Sequence, residues 1–275
     1  MPELPEVETI RRALATRLIG ATFSGVQIRE HRFRRVVDPL CLRRLVGQSL
    51  TGIKRRAKYL LLKTKRDVLV IHLGMSGRLL LTSPQQPIDQ HDHICFTLRT
   101  TGTVRELRFH DPRRFGMVIV LERTRLEQDP AFARLGPDPF DDAFSPEYLY
   151  RFSRGSSRPI KNLLMDASVV GGIGNIYANE LLWRARVHPL TRSGRVRMER
   201  WVRIHASCLQ VLRDAIAAGG TTLNDYADPN GNLGYFSVSL SVYGRSDKEC
   251  PRCSRRLRRI VQSGRSTFYC PGCQH

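Results

Sequence analysis

The apolar residues Val7, Ile10, Leu14 and Leu18 recur at helical spacing, with Arg11, Arg12 and Arg17 off that stripe. Gly20 supplies a stop, so the pattern predicts an opening amphipathic helix of about four turns. The period then changes. Short runs rich in β-branched and aliphatic residues predict strands at 22–29, 50–56, 59–64, 68–72, 78–81, 93–98, 104–110 and 117–121. Turn signals such as Thr101-Gly102 separate them. Many short strands at hairpin spacing predict an antiparallel sandwich. Helical patterning returns at 145–154, 159–165, 175–185 and 195–218. In the last of these, Trp201, Ile204, Cys208, Leu212 and Ala215 share a face, which places Cys208 in a core. Two final strands, 258–262 and 266–269, join at Ser263-Gly264-Arg265. The fold class is therefore α+β: a β-sandwich behind a leading helix, then a helical domain ending in a β-hairpin.

The acidic, Pro-rich stretch from Leu135 to Asp142 reads as a linker. It divides the chain into a β-rich domain at 1–136, a helical domain at 137–240 and a hairpin module at 241–275. A length of 275 residues is enough for two modest cores.

Charge narrows the choice of partner. The net charge is +20 and the pI about 10.5, which favours a polyanion, nucleic acid before membrane surface. Only six of the 45 basic residues are Lys. Arg forks suit phosphates and base edges, although genomic codon bias produces the same excess. No apolar run approaches the ~18 residues of a membrane span, and the N-terminus carries no apolar signal core, so the expectation is a soluble cytosolic protein.

The first residues carry candidate chemistry. Removal of Met1 would leave Pro2 with a free secondary amine. An α-amino group titrates near ~8, so part of it is neutral and nucleophilic at cellular pH. Attack of such an amine on a sugar's anomeric carbon yields an iminium, an electron sink. Glu3 and Glu6 lie three apart and share a helical face beside that amine, where they can divide proton transfers. The same residues also make an ordinary helix start, with Pro in the first turn and acids at the positive dipole end.

Other motifs differ in strength. Cys250-Pro251-Arg252-Cys253 and Cys270-Pro271-Gly272-Cys273 stand sixteen residues apart, the spacing of a single tetrahedral zinc site. Redox use is the alternative, and paired motifs at zinc-ribbon spacing argue against it. A module of this size lacks a core of its own, so the metal supplies folding energy. Gly171-Gly172-Ile173-Gly174 before the 175–185 helix offers N–H groups and a dipole end to a phosphate. His91 and His93 alternate onto one strand face, a weak metal candidate with no evident third ligand.

Taken together, these motifs resemble the bacterial formamidopyrimidine-DNA glycosylases along nearly the whole chain. The opening Met-Pro-Glu-Leu-Pro-Glu-Val-Glu is similar to their N-terminus. The resemblance implies that Pro2 is the nucleophile and that Glu3 manages protons, with Glu6 ordering the amine or a water. In Arg55-Arg56-Ala57-Lys58-Tyr59-Leu60, Lys58 matches a lysine assigned as proton donor in β-elimination. In His72-Leu73-Gly74-Met75-Ser76-Gly77 and Asp111-Pro112-Arg113-Arg114-Phe115-Gly116, the residues Met75, Arg113 and Phe115 match the set that fills the gap left by an extruded nucleotide. His91 matches a phosphate contact. Val169 to Glu180 resembles the family's helix–two-turn–helix, with Asn175 and Lys161 as phosphate contacts. Before Lys161 the family's Lys-rich stretch is here Arg154-Gly155-Ser156-Ser157-Arg158, so Arg158 or Arg154 would substitute. Residues 219–236 match a loop that covers the extruded base. Arg265 matches an arginine that grips the lesion's phosphate and serves δ-elimination.

The expectation is a monomeric DNA glycosylase and abasic-site lyase that excises oxidised purines, 8-oxoguanine and formamidopyrimidines, from duplex DNA in base excision repair. It would carry one structural Zn2+ on four Cys and act in the bacterial cytoplasm at the nucleoid. The rival in the same superfamily is an endonuclease VIII-like enzyme for oxidised pyrimidines. Met75, Arg113, Phe115 and the Leu4-Pro5-Glu6-Val7 continuation argue for the purine branch. A non-catalytic zinc-ribbon DNA-binding protein fits the charge and the metal site, and only Pro2, Glu3 and Lys58 argue against it.

Overall fold

A computed structural model describes residues 2–220 and 240–275. The chain divides into two compact units, Met1–Ala133 with Gly219–Ser237 and Arg134–Ala218 with Val238–His275.

The first unit begins with α1 (Leu4–Leu18), whose stripe of Val7, Ile10, Leu14 and Leu18 is buried as its spacing predicts. Gly20, at φ +89°, ends it in a conformation that costs a glycine least. There follow β1 (Thr22–Ile28), α2 (Pro39–Arg43), β2 (Gly52–Arg56), β3 (Tyr59–Lys63), β4 (Asp67–His72), β5 (Arg78–Thr82), β6 (Asp92–Thr100), β7 (Thr103–His110) and β8 (Met117–Glu122). All eight expected strands are present. The short helix α2 was not anticipated, although its signal is in the chain. The Asp38 carboxylate accepts the N–H groups of Leu40 and Cys41, and Pro39 opens the first turn.

The strands form two antiparallel four-stranded sheets, in the orders β1-β6-β7-β5 and β2-β3-β4-β8. Side chains of both sheets meet in one core with the α1 stripe, among them Phe23, Phe96, Leu62 and Ile71. Strand β4 is buried along its whole length, which is why its apolar run is continuous rather than alternating. Two chain segments cross from one sheet to the other at its end, 73–77 between β4 and β5 and 111–116 between β7 and β8.

The second unit holds α3 (Pro146–Ser153), α4 (Ile160–Leu164), α5 (Asn175–Arg184), α6 (Met198–Ala217), β9 (Arg258–Gln262) and β10 (Arg265–Tyr269). Helix α6 packs on α3 and α5, and Trp201, Ile204, Cys208 and Leu212 are fully buried, as expected. The stretch expected as a linker is tied down within this unit: Gly136 N–H donates to Ala167 O at 2.8 Å and Gly171 N–H to Pro137 O at 2.9 Å. The hairpin register differs in one respect from the sequence reading. Arg265 pairs with Gln262 as the first residue of β10, so the turn is Ser263-Gly264 alone, with φ +49° and +72°. Two residues with positive φ match the right-handed twist of the strands they join.

Polar groups on α5 hold the hairpin module. The Asn179 Oδ1 accepts the Phe268 N–H at 2.7 Å. The Glu180 carboxylate accepts the N–H groups of Ser241 (2.9 Å), Val242 (2.9 Å) and Tyr243 (2.8 Å). A strand pair this small has little core, so these bonds and the cysteine cluster hold it in place. Among the described residues, no helix is long and apolar enough to cross a membrane.

Glu180→Ala would leave three N–H groups without their shared acceptor. At about 1.5–3 kcal/mol for a hydrogen bond to a charged group, with partial rescue by water, a loss of about 3 kcal/mol is expected. Denaturant unfolding of the full chain followed by tryptophan fluorescence measures it, Trp183 and Trp201 both lying in this unit.

Candidate active site and metal centre

The start of α1 is a buried cap. Glu3 is the N-cap, with φ −104° and ψ −171°, and its N–H donates to Glu6 Oε2 at 2.8 Å. The Glu3 side chain returns the interaction to the Glu6 backbone, completing a capping box. Both carboxylates are only 2 % exposed, beside the half-buried Pro2. The two acids expected as proton handlers are thus also the helix start that the plainer reading offered. Gly220, at φ +93°, comes close to this turn: a Cβ there would stand 3.1 Å from both Cγ and Oε1 of Glu6.

Lys58 sits in the two-residue turn between β2 and β3, where Arg56 pairs with Tyr59 and Ala57 takes φ +52°. Arg55 secures this turn to α1. Its Nε lies 3.3 Å from Glu8 Oε2, and its Nη1 donates to Ala57 O at 3.1 Å. Burial opposes the charge on Glu8, but hydrogen bonds from Arg11 and Arg12 and the charges of Arg11 and Arg55 outweigh it, holding the carboxyl below its ordinary range. The helix that begins after Pro2 and the hairpin that carries Lys58 are therefore joined by an ionic tie.

The three expected gap-filling residues lie on the two crossover segments. Met75 is 50 % and Phe115 46 % exposed, unusual for large apolar side chains with a core nearby. The Arg113 guanidinium stacks on the Phe115 ring, 4.5 Å from its centroid. Two residues that the sequence reading passed over anchor these segments. His72 Nδ1 accepts the Gly74 N–H at 3.0 Å. Burial, followed by the charges of Arg34 and Lys58, pushes this imidazole down to about 4, so it stays neutral and keeps that lone pair available. Asp111, fully buried, accepts from Ser76 Oγ at 2.7 Å and from Gly116 N–H at 2.8 Å. In the sequence, each is marked only by its place in the same motif as Met75 or Phe115.

His91 precedes β6 and meets His93 and His110 edge to face, with ring centroids at 6.1 and 5.7 Å. His110 pairs with Asp92 (3.0 Å), and His93 Nε2 lies 3.1 Å from Asp111 O. Among the described residues these histidines belong to no group of three metal donors.

In the second unit, α5 starts at Asn175 after the glycine-rich turn, with Gly172 at φ +101° and Gly174 as N-cap. Asn175 Nδ2 donates to Ser266 O at 3.0 Å, while its Oδ1 is buried with no hydrogen-bond partner. Lys161 is 1 % exposed, and its Nζ donates to Thr267 Oγ1 at 2.7 Å and to Ser266 O at 3.3 Å. Both expected phosphate contacts thus grip the strand immediately after Arg265, which is itself exposed. Arg158 directs both Nη atoms to Asp166 Oδ2 at 3.0 Å. Arg154 lies over Tyr150, its guanidinium carbon 5.2 Å from the ring centroid. The covering loop expected at 219–236 falls outside the described residues from 221 onward.

The four cysteines Cys250, Cys253, Cys270 and Cys273 come together, their sulfurs within 4.8 Å of one another. Cys250 and Cys273 are 3.9 Å apart, and Cys253 and Cys270 3.4 Å. Tetrahedral zinc with bonds of about 2.3 Å needs separations of about 3.8 Å, so the donors fit the ion. Trp183 Nε1 donates to Cys250 Sγ at 3.4 Å, the kind of outer contact that orients a ligand. With four thiolates as ligands no position stays open for substrate, and the metal is structural.

Comparison with known proteins covers the whole chain. Residues 1–118 match the formamidopyrimidine-DNA glycosylase N-terminal domain, 135–227 the formamidopyrimidine-DNA glycosylase H2TH domain, and 247–275 the zinc finger found in FPG and IleRS. Proteins named formamidopyrimidine-DNA glycosylase are similar end to end. One from Acidithiobacillus ferrooxidans is 43 % identical over 274 residues, covering 100 % of both chains. One from Alkalilimnicola ehrlichii is 45 % identical over 280 residues, again covering 100 % of both. Among solved structures, Lactococcus lactis Fpg in complex with DNA containing an abasic site superposes with a TM-score of 0.90 at 30 % identity, covering 99 % of each chain. The wild-type Lactococcus lactis Fpg with a DNA containing N7-benzyl-Fapy-dG gives 0.89 at 30 % identity, with the same coverage.

Two measurements follow from this geometry. The pKa of His72 is lower in the folded chain (about 4) than unfolded (6.5), so the unfolded state takes up the proton first on acidification. Its contribution to stability is whole above pH 6.5 and lost as pH falls towards 4, a difference of roughly 3 kcal/mol. Denaturant midpoints across that window should fall more steeply for the wild type than for His72→Gln. Metal analysis should find one zinc per chain, and Cys250→Ala should lose it together with several degrees of melting temperature.

Proposed function

This chain belongs to the formamidopyrimidine-DNA glycosylase family, and we infer that it excises oxidised purines from duplex DNA and then nicks the strand at the resulting abasic site. The observation that supports the reading is the buried Glu3–Glu6 cap, which ties down the backbone next to Pro2 at the head of a packed helix. A nucleophile placed there serves this chemistry, and a plain DNA-binding protein has no use for it.

The assigned roles follow from chemistry at each position. Removal of Met1 exposes the Pro2 nitrogen. That nitrogen attacks the anomeric carbon of the damaged nucleotide, the bond to the base breaks, and Glu3 handles the accompanying protons. The sugar ring then opens at the C1′–O4′ bond, O4′ taking a proton, and the C–N bond becomes an iminium, which acidifies the neighbouring sugar C–H. Loss of that proton expels the 3′ phosphate by β-elimination. A second elimination expels the 5′ phosphate. Lys58 supplies a proton in the first elimination, and Arg265 grips phosphate through the second. Glu6 keeps the amine in place through its bond to the Glu3 N–H.

The extruded nucleotide leaves a gap that must be filled. Met75 and Phe115 supply apolar bulk, and Arg113 supplies donors to the widowed base. Phosphates of the duplex are met by His91, Asn175 and the basic surface. With Lys161 buried on β10, its part is to hold the Arg265 strand for phosphate binding. Of the two basic candidates upstream, Arg154 is the freer contact, because Arg158 is engaged by Asp166. Residues 1–136 thus carry Pro2, Glu3, Lys58 and the gap-filling set, while 137–240 and 241–275 add phosphate contacts, Arg265 among them. The protein works as a monomer on the nucleoid in the cytoplasm.

Borohydride reduction during turnover of an 8-oxoguanine duplex should trap a covalent protein–DNA adduct through residue 2. An N-terminal extension that leaves the Pro2 nitrogen in a peptide bond should abolish it. Glu3→Gln should slow base excision by about 10²–10⁴-fold, the usual range for losing a general acid–base group. Trapping only on an oxidised pyrimidine would assign the endonuclease VIII-like activity instead, and no adduct on either would leave only binding.

A further inference from the structure

We propose that Asp111 is a positioning residue that locks Met75, Arg113 and Phe115 into one preorganised probe for the gap in the duplex. The proposal rests on the gap-filling role given above to those three side chains.

The topology poses the problem. Segment 73–77 leaves β4 in one sheet and enters β5 in the other, and segment 111–116 returns from β7 to β8. They start and end side by side, since His72 pairs with Met117 and Arg78 with His110. Being crossovers, neither continues a ladder, so sheet hydrogen bonding does not fix the distance between them. Met75 lies on one, and Arg113 and Phe115 lie on the other. A gap-filling set split in this way works only if the two segments hold one spacing.

Asp111 spans both. Its Oδ1 accepts from Ser76 Oγ, next to Met75, at 2.7 Å. Its Oδ2 accepts from the N–H of Gly116, next to Phe115, at 2.8 Å. Its backbone extends the tie to the segment that carries His91: Asp111 N–H donates to His91 O at 3.0 Å, and Asp111 O lies 3.1 Å from His93 Nε2. The carboxylate is fully buried, so water does not compete for these bonds. Packing agrees with this. A Cβ on Gly74 would come within 2.5 Å of the Phe115 carbonyl, and one on Gly116 within 2.9 Å of His72 O and 3.0 Å of Asp111 Oδ2. The segments touch backbone to backbone where those glycines stand, and Asp111 is the polar clasp at that contact. It touches neither base nor sugar; it acts through Ser76 and Gly116.

The test uses the full-length zinc-loaded protein and three variants, Asp111→Ala, Asp111→Asn and Met75→Ala. Three rates are read under single-turnover conditions: excision of 8-oxoguanine opposite cytosine, nicking of a preformed abasic site, and the fluorescence change of 2-aminopurine placed beside the lesion. Asp111→Ala should slow excision and the 2-aminopurine step together by about 10–100-fold, the scale of a misplacement of about 1 Å. Abasic-site nicking, which has no base to extrude, should fall less than threefold. Asp111→Asn should recover most of the loss, because a carboxamide can accept from Gly116 N–H through Oδ1 and donate to Ser76 Oγ through Nδ2. An unchanged ratio of excision to nicking in Asp111→Ala overturns the proposal, whether both rates hold or both fall with stability. Failure of Asp111→Asn to recover excision also overturns it. Undiminished excision by Met75→Ala refutes the gap-filling reading itself, independently of how the Asp111 variants behave.

Discussion

A chain end is anchored by covalent bonds on one side only, and it frays unless something ties it down. The bond from Glu3 N–H to Glu6 Oε2 meets this constraint. It closes the first turn of α1, and the four apolar residues below it seat that helix in the sandwich core. The same two carboxylates that satisfy orphan N–H groups at the helix start stand beside Pro2. A cap and the proposed chemistry ask for the same residues at the same spacing, which is why composition alone cannot tell a helix start from a catalytic one.

Elsewhere the working surface is held by buried polar groups more than by apolar packing. Glu180 and Asn179 fasten the hairpin module through backbone N–H groups, and Lys161 with Asn175 fastens the strand after Arg265. Asp111 and His72 do the same for the crossover segments. Each spans places where a sheet ladder or helix ends and backbone groups would otherwise lack partners. Hydrogen bonds shielded from water have strict geometry, so they fix position more sharply than non-directional apolar contact. The side chains proposed to meet DNA, such as Met75, Phe115 and Arg265, are exposed, so their placement has to be supplied from beneath.

The net charge of +20 brings DNA to the protein without choosing a site on it. Several of the 39 arginines are held in ion pairs, as Arg55 is with Glu8 and Arg158 with Asp166. Those pairs convert part of a diffuse positive surface into struts. An excess of arginine over lysine serves both uses, since a planar fork can bind a carboxylate within the chain or a phosphate outside it.

The sequence by itself determined the periodic features. The α1 stripe, eight strands of the sandwich, the α6 face around Cys208 and the four cysteine ligands were legible because each repeats at a period or spacing set by local geometry. The short α2 was legible too, in Asp38-Pro39, and was missed for want of length. Tertiary structure alone decided what each buried polar group does. Lys161 looks like any surface cation in the chain and is 1 % exposed in the fold. Asp111 lies 35 residues from the Ser76 it binds, and Glu180 lies 61 or more from the N–H groups it collects. No local pattern encodes such partners, because they meet only once the strands and helices have set the register that brings them together.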